Sequence, residues 1–289
     1  MRQVGPHRAA FGESAVWSPE DQAVWWIDLH GRALLRTREN GDTDVFKTPG
    51  FPANNPRAIV PGRDGKLIAA LDDRLTRFDP ATGAFEDIAV SHPLPAGHVF
   101  NDAVVDSSGR LIIGTVRAAG GDDYKGLVLS FAPGQPVRVL AEGLCTSNGL
   151  GLSPDGHTLY VADSFREVKT VWRSAYDPQT GVAGSREVFA DFPLHPGRPD
   201  GAAVDSEGGY WIAALDAGCV YRFLPDGRLE RTVSLPVPMP SRPCFGGRDL
   251  DRLYVTTAGT LQGRDDGQAG ALFSIAVPFK GLAGTMCIL

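Results

Sequence analysis

The sequence contains no C-x-x-C pair, no H-x-x-H or H-E-x-x-H spacing and no G-x-S-x-G stretch. The first absences remove the usual cysteine- and histidine-built zinc sites, and the last removes a serine esterase of the α/β-hydrolase type. The four cysteines (Cys145, Cys219, Cys244 and Cys287) are far apart, which reads as free, buried thiols in a reducing compartment. No run approaches the ~18 uninterrupted apolar residues of a membrane helix, so no membrane partner is expected. The opening stretch MRQVGPHRAAFGES has no apolar h-region, so a secretory signal is not expected and the cytoplasm is the expected location. Basic excess is missing too. The net charge is −6, which leaves no electrostatic footprint for nucleic acid and reads as ordinary solubility.

What is present is a repeat. The 289 residues, 43% hydrophobic and 21% charged, describe an ordinary globular chain, and 35 glycines with 22 prolines suit a fold rich in tight turns. One signature recurs six times: AVWSPEDQAVWWIDL (15–29), AIVPGRDGKLIAAL (58–71), AVVDSSGRLIIGTV (103–116), LGLSPDGHTLYVAD (150–163), AAVDSEGGYWIAAL (202–215) and CFGGRDLDRLYVTTA (244–258). Each copy is a short apolar arm, a turn of Gly, Asp, Ser or Pro, and a second apolar arm. The turn residues Asp21, Asp64, Asp106, Asp155, Asp205 and Asp249 are separated by 43, 42, 49, 50 and 44 residues. Further strand candidates, such as RLTRFD (74–79), GLVLSF (126–131), TVWRSAYD (170–177) and GCVYRFL (218–224), fill the gaps. A period in the forties without a helical pattern predicts one four-stranded antiparallel sheet per repeat, and six sheets arranged radially make a six-bladed β-propeller around a central channel. Residues 1–289 are expected to form this all-β propeller as one domain. Trp25, Trp26, Trp172 and Trp211 fall in strand arms and read as blade core rather than as a ligand platform.

Aligning the copies on the first turn residue exposes a second regularity. Five residues before it stand Glu13 in the first copy, Asn101 in the third, Asn148 in the fourth and Asp200 in the fifth; Pro56 and, less securely aligned, Ser241 take the place in the other two. A carboxamide contributes little to a strand, so a position shared by four blades asks for another reason. If the first arm is innermost, these four side chains converge on the channel at one height. Two carboxylates and two amides are hard oxygen donors, suited to calcium, magnesium or manganese, and two anions in one small cavity repel each other without a cation. A ring of hydrogen-bonded polar side chains filling the channel is the other reading of the same pattern.

These segments resemble the senescence marker protein/gluconolactonase/regucalcin family over nearly the whole chain. GESAVW (12–17) is similar to its G-E-x-P-x-W motif, with Ala15 in place of proline; NDAVVDSSGRLIIGT (101–115), SNGLGLSPDGHTLYVADS (147–164), RPDGAAVDSEGGYWIA (198–213) and CFGGRDLDRLYVTTA (244–258) follow its later motifs in order. The resemblance implies a propeller with one divalent cation held by Glu13, Asn148 and Asp200, with Asn101 beside it, and hydrolysis of a sugar lactone to the aldonic acid. Calcium is the first expectation for the cation, with zinc, magnesium, manganese or ferrous iron as alternatives. The small-molecule lactone is the expected partner of a monomer or weak homo-oligomer. The chain departs from the family where an arginine often stands two residues before Asn101: Val99 is there, flanked by His98 and Phe100, and His98, Val99 and Asn101 are taken as the substrate-binding segment. Where the family often carries a Met and an acidic residue lining the pocket, the stretch here is VRAAGGDDY (116–124). A less polar or differently decorated lactone fits this altered shell.

In this reading the cation is a Lewis acid on the lactone carbonyl, a nearby water attacks, and Asp200 is the candidate general base, with a hydroxide on the cation as the rival nucleophile. Asn101 orients water or substrate. Asp102 is not assigned a direct role, and Asp163 reads as a strand-end structural residue able to support the site from behind. A non-catalytic cation-binding propeller and a hydrolase of other esters remain the alternatives.

Overall fold

The computed structural model describes residues 1–50, 54–91, 94–259 and 267–289. Six antiparallel sheets follow one another along the chain. The first is built from Gly12–Ser18, Ala23–Asp28, Ala33–Arg38 and Thr43–Lys47, and the second from Pro56–Pro61, Leu67–Leu71, Arg74–Asp79 and Ala84–Asp87. The third uses His98–Val105, Leu111–Arg117, Gly126–Phe131 and Arg138–Leu144. The fourth uses Ser147–Leu152, Thr158–Asp163 and Thr170–Asp177, edged by both Val182–Ala183 and Glu187–Asp191. The fifth comprises Arg198–Val204, Tyr210–Leu215, Cys219–Phe223 and Leu229–Ser234. The first strands of neighbouring sheets touch all the way round, so the first arm of each repeat is the innermost. This is a six-bladed β-propeller, as the period requires.

The sixth blade closes the ring. Its strands Pro240–Gly246, Arg252–Thr257 and Phe273–Ala276 are completed by Arg2–Gln3 from the start of the chain, with Gln3 opposite Phe273. Pairing the chain start with the last blade supplies its fourth, outer strand and ties the first blade's end of the chain to the sixth.

Apolar residues pack between blades, one cluster to each interface. Trp17 and Trp26 meet Tyr254 and Cys244 between the first and sixth blades, and Trp25, Ile27 and Leu34 meet Ile59 and Phe78 between the first and second. Phe100 and Phe131 pack on the second blade, Leu150 and Val161 on the third, Tyr210 and Phe223 on the fourth, and Phe245 and Leu253 on Trp211 of the fifth. Trp25, Trp26 and Trp211 are fully buried in these layers, whereas Trp172 is partly exposed beneath the Arg186 guanidinium, 5.0 Å from its ring centre. All four cysteines are free and buried.

Turn aspartates are more than turn formers. Asp205 accepts from Gly209 N (2.8 Å), Trp211 Nε1 (2.7 Å) and Arg222 Nε (2.7 Å), and its side chain is fully buried. Asp21 repeats the pattern with Trp25 Nε1 (2.7 Å) and Arg36 Nη1 (2.9 Å), and Asp106 holds Arg110 and the Tyr176 hydroxyl of the next blade, both at 2.7 Å. After the last strand the chain crosses the turn end of the channel. Ser206 N donates to Lys280 O and Gly281 N to Leu250 O on one side; Cys287 N donates to Pro61 O and Ile288 N to Gly109 O on the other. A cavity of about 580 Å³ lies inside this strap, walled by Val16, Val60, Val104, Leu152 and Phe245.

Removing one member of a buried ion pair leaves the other charge without compensation. Asp205→Ala is therefore expected to cost about 3–5 kcal/mol in urea unfolding, against under about 0.5 kcal/mol for the exposed Asp249→Ala. Equal losses at the two positions would contradict the role given to Asp205.

Candidate metal centre

Every innermost strand carries one extra residue relative to its neighbour. The slips lie between Glu13 and Val16, Pro56 and Ala58, Phe100 and Ala103, Asn148 and Gly151, Pro199 and Ala202, and Pro240 and Arg242. Such bulges re-aim side chains out of the sheet. The four residues singled out by register sit on them: Glu13 and Asn148 are the last paired residues before the slip, and Asn101 and Asp200 the first within it. Backbone shape follows. Gly149, next to Asn148, has φ +59°, and a Cβ there would lie 2.6 Å from Tyr210 Oη and 2.7 Å from Ala162 Cβ. Only glycine fits that corner.

The bulges are stitched together across blades. Asn148 Nδ2 donates to Asp200 Oδ1 (2.7 Å) and to Ser164 Oγ (2.8 Å), and Ser164 Oγ donates to Pro199 O. Asn101 Nδ2 donates to Ser147 O (2.9 Å), and Ser241 Oγ to Gly12 O (2.6 Å). Asp163, behind Asn148, accepts from Cys145 N, Thr146 N and Phe165 N, a strand-end structural role. These bonds consume the amide nitrogens and leave oxygens over. Among the described residues, Asp200 Oδ2 and Asn148 Oδ1 have no hydrogen-bond donor, and the buried Glu13 Oε1 has none while Oε2 accepts from Ser14 N (2.6 Å). A ring that merely filled the channel would satisfy these atoms.

Electrostatics point the same way. Burial first, and then the Asp102 charge, push the Glu13 carboxyl from 4.5 up to about 7. Burial and then Glu13 push Asp200 well above the usual carboxylate range. The Asp102 charge thus opposes ionisation of Glu13, and the Glu13 charge that of Asp200, as anions gathered in one channel must. The donor set fits a hard divalent cation: partnerless oxygens from Glu13, Asn148 and Asp200, with no sulfur or imidazole among them. Among the described residues no three His, Cys, Asp or Glu side chains are grouped so as to hold a metal ion; the set here is two carboxylates and an asparagine. Asn148 and Asp200 are buried, whereas Glu13 and Asn101 keep partial exposure and do not line the cavity under the strap.

The substrate segment is less uniform than its sequence. The His98 ring is fully buried and its Nε2 meets Asp123 Oδ2 at 3.0 Å, so it anchors the 118–125 loop rather than facing solvent. Val99 is buried in the strand opposite Val116. Of the three residues, only Asn101 keeps exposure beside the cluster. Two further residues stand under it: Asp102, left without a direct role by the sequence, which accepts from Ala103 N (2.8 Å) and Leu150 N (2.7 Å), and Arg242, missed by sequence reasoning, whose Nη1 donates to Asp102 Oδ1. A basic residue inside the buried strand PSRPCFG was the signal for Arg242, and it stands one place beyond Ser241.

Comparison with known proteins adds the lineage. Residues 11–259 match the family described as SMP-30/Gluconolactonase/LRE-like region. The chain belongs to this family. It is 34% identical over 261 residues to a pentonolactonase of Haloferax volcanii, covering 90% of this chain and 84% of that protein. It is 31% identical over 288 residues to an L-arabinolactonase of Azospirillum brasilense, covering 96% and 91%. Among solved structures, a calcium-binding protein, regucalcin, from Agrobacterium tumefaciens superposes with a TM-score of 0.90 at 29% identity, over 100% of this chain and 97% of that one. No described helix is long and apolar enough to cross a membrane.

Raised carboxyl pKa values carry a sign. The folded, cation-free protein holds protons that the unfolded chain has released, so these groups cost stability as pH rises from the ordinary value of 4.5 through about 7. A bound cation favours the ionised forms and reverses that loss. Cation-free protein is therefore expected to lose thermal stability between pH 5 and 8, and Glu13→Gln to flatten the loss. Calcium should raise the melting temperature more at pH 8 than at pH 5. Scanning calorimetry at the two pH values, with chelator and with calcium, checks the sign.

Proposed function

We propose that this chain is a divalent-cation-dependent lactonase that opens a sugar lactone to its aldonic acid. The observation that carries the reading is the cluster itself. Glu13 and Asp200 share one channel, Asn148 clamps Asp200 through its Nδ2, and each of the three has an oxygen with no protein donor. Membership of a family that includes proteins named pentonolactonase and L-arabinolactonase supplies the reaction class.

Glu13, Asn148 and Asp200 would hold the cation. When bound, a hard divalent ion polarises a carbonyl and stabilises the negative charge that develops on its oxygen. Calcium is the first choice for an all-oxygen set, and the calcium-binding name of the structural relative agrees with it. The chain's own residues do the rest. The Asn148 bond to Oδ1 sets the plane of the Asp200 carboxylate, and the oxygen that does not hold the cation is the one that would take a proton from water. Asn101, tied through Nδ2 to Ser147 O, turns its side-chain oxygen to whatever enters beside the cluster. Partial exposure of Glu13 and Asn101 favours a site open to a small molecule over a sealed, purely structural cation. With Val99 buried and no arginine at that position, the substrate's hydroxyls lose a cationic partner, which suits a lactone with fewer of them.

Acid release from a panel of sugar and aliphatic lactones tests the proposal. Chelated protein should be inactive and recover with calcium or another divalent ion. Asp200→Asn should lower kcat/KM by about 10²–10⁴-fold, the usual worth of a general base, with cation binding measured in parallel. Turnover indifferent to chelator, or none on any lactone with cation bound, would overturn it.

A further inference from the structure

Below the cluster an ion pair spans the channel. Arg242 comes from the innermost strand of the sixth blade and Asp102 from that of the third, directly across the ring. Both are buried, Arg242 at 7% exposure and Asp102 at 5%. Arg242 Nη1 donates to Asp102 Oδ1 and Nη2 to Ala103 O (3.3 Å). Asp102 receives Ala103 N and Leu150 N as well, so both its oxygens only accept, the pattern of an ionised carboxylate. Room for the arginine is built in at Gly201, the neighbour of Asp200. A Cβ there would overlap the Arg242 stem and lie 2.9 Å from both Arg242 Cβ and Ser241 O. The Arg242 charge also reaches Glu13 and Asp200, favouring the ionised form of each.

We infer that Arg242 sets the charge of the cation site by cancelling Asp102 from beneath it. The inference rests on the proposed reading of Glu13, Asn148 and Asp200 as cation ligands. Three carboxylates, Asp102 and Asp200 buried and Glu13 half-buried, face one buried guanidinium, which leaves two negative charges for a divalent ion. Arg198, the other arginine that acts on Asp200, is itself neutralised by Asp216 at 2.7 Å. An arginine keeps its charge at every working pH, so the count is fixed. Arg242 and Ala103 also roof the cavity under the strap, so the pair is the floor between cation site and cavity. Arg242 is a positioning residue in this account, without contact to substrate.

The test is charge selectivity. Calcium and terbium(III) are similar in size and differ by one charge, and their affinities for the full chain are measured by calorimetry. In Arg242→Met the uncancelled Asp102 should raise the terbium-over-calcium affinity ratio about tenfold or more. In Asp102→Asn the ratio should fall, and in the double variant Asp102→Asn/Arg242→Met it should return to the wild-type value. A structural role alone would weaken both ions together, so an unchanged ratio in Asp102→Asn and in Arg242→Met overturns the inference. If Arg242→Met fails to fold, Asp102→Asn and the neutral double variant still read the ratio. Wild-type protein that binds neither ion overturns the cation-site reading itself, a separate result.

Discussion

Two carboxylates brought together in one channel organise this molecule. Glu13 and Asp200 come from different blades, and the Glu13 charge raises the cost of ionising Asp200. A protein can tolerate that arrangement in two ways: by keeping protons on the acids, or by supplying positive charge. The proposed cation site is the second. Asn148 gives its nitrogen to Asp200 and leaves its oxygen over, Arg242 cancels a third acid at Asp102, and Glu13 Oε1 is left without a partner.

The propeller makes this concentration possible. Each blade buries its apolar faces against its neighbours, so stability is secured in six layers away from the axis. The innermost strands are free to depart from regular pairing, and all six do so at the same level. A bulge that would weaken an ordinary sheet here turns polar side chains toward the axis. Gly149 and Gly201 are the local requirements, one for a left-handed corner and one for the passage of the Arg242 stem.

Much of this was legible in the sequence because it repeats. Six hairpin signatures at a period in the forties gave the blades, and a fixed offset from the turn led to Glu13, Asn101, Asn148 and Asp200. Offset counting worked because the turn and the bulge are separated by a nearly constant length of strand. Contributions made once only escaped it. The strand Arg2–Gln3 that closes the sixth blade has no repeat to betray it, nor does the strap from Lys280 to Ile288. Arg242 was hidden by a one-residue difference at the sixth bulge, which put Ser241 in the aligned column. His98 misled in the other direction: adjacency in sequence to Asn101 suggested the pocket, but strand alternation sends its ring to Asp123.

The central claim is that three bulged strands, those of Glu13, Asn148 and Asp200, assemble a single divalent-cation site. A crystal soaked in manganese, with anomalous diffraction recorded near the manganese absorption edge, addresses it most directly. The account predicts one strong peak in the channel, about 2.0–2.6 Å from oxygens of Glu13, Asn148 and Asp200, above the Arg242–Asp102 pair. A map without a peak there, with Glu13 and Asp200 joined instead by a shared proton, would contradict it.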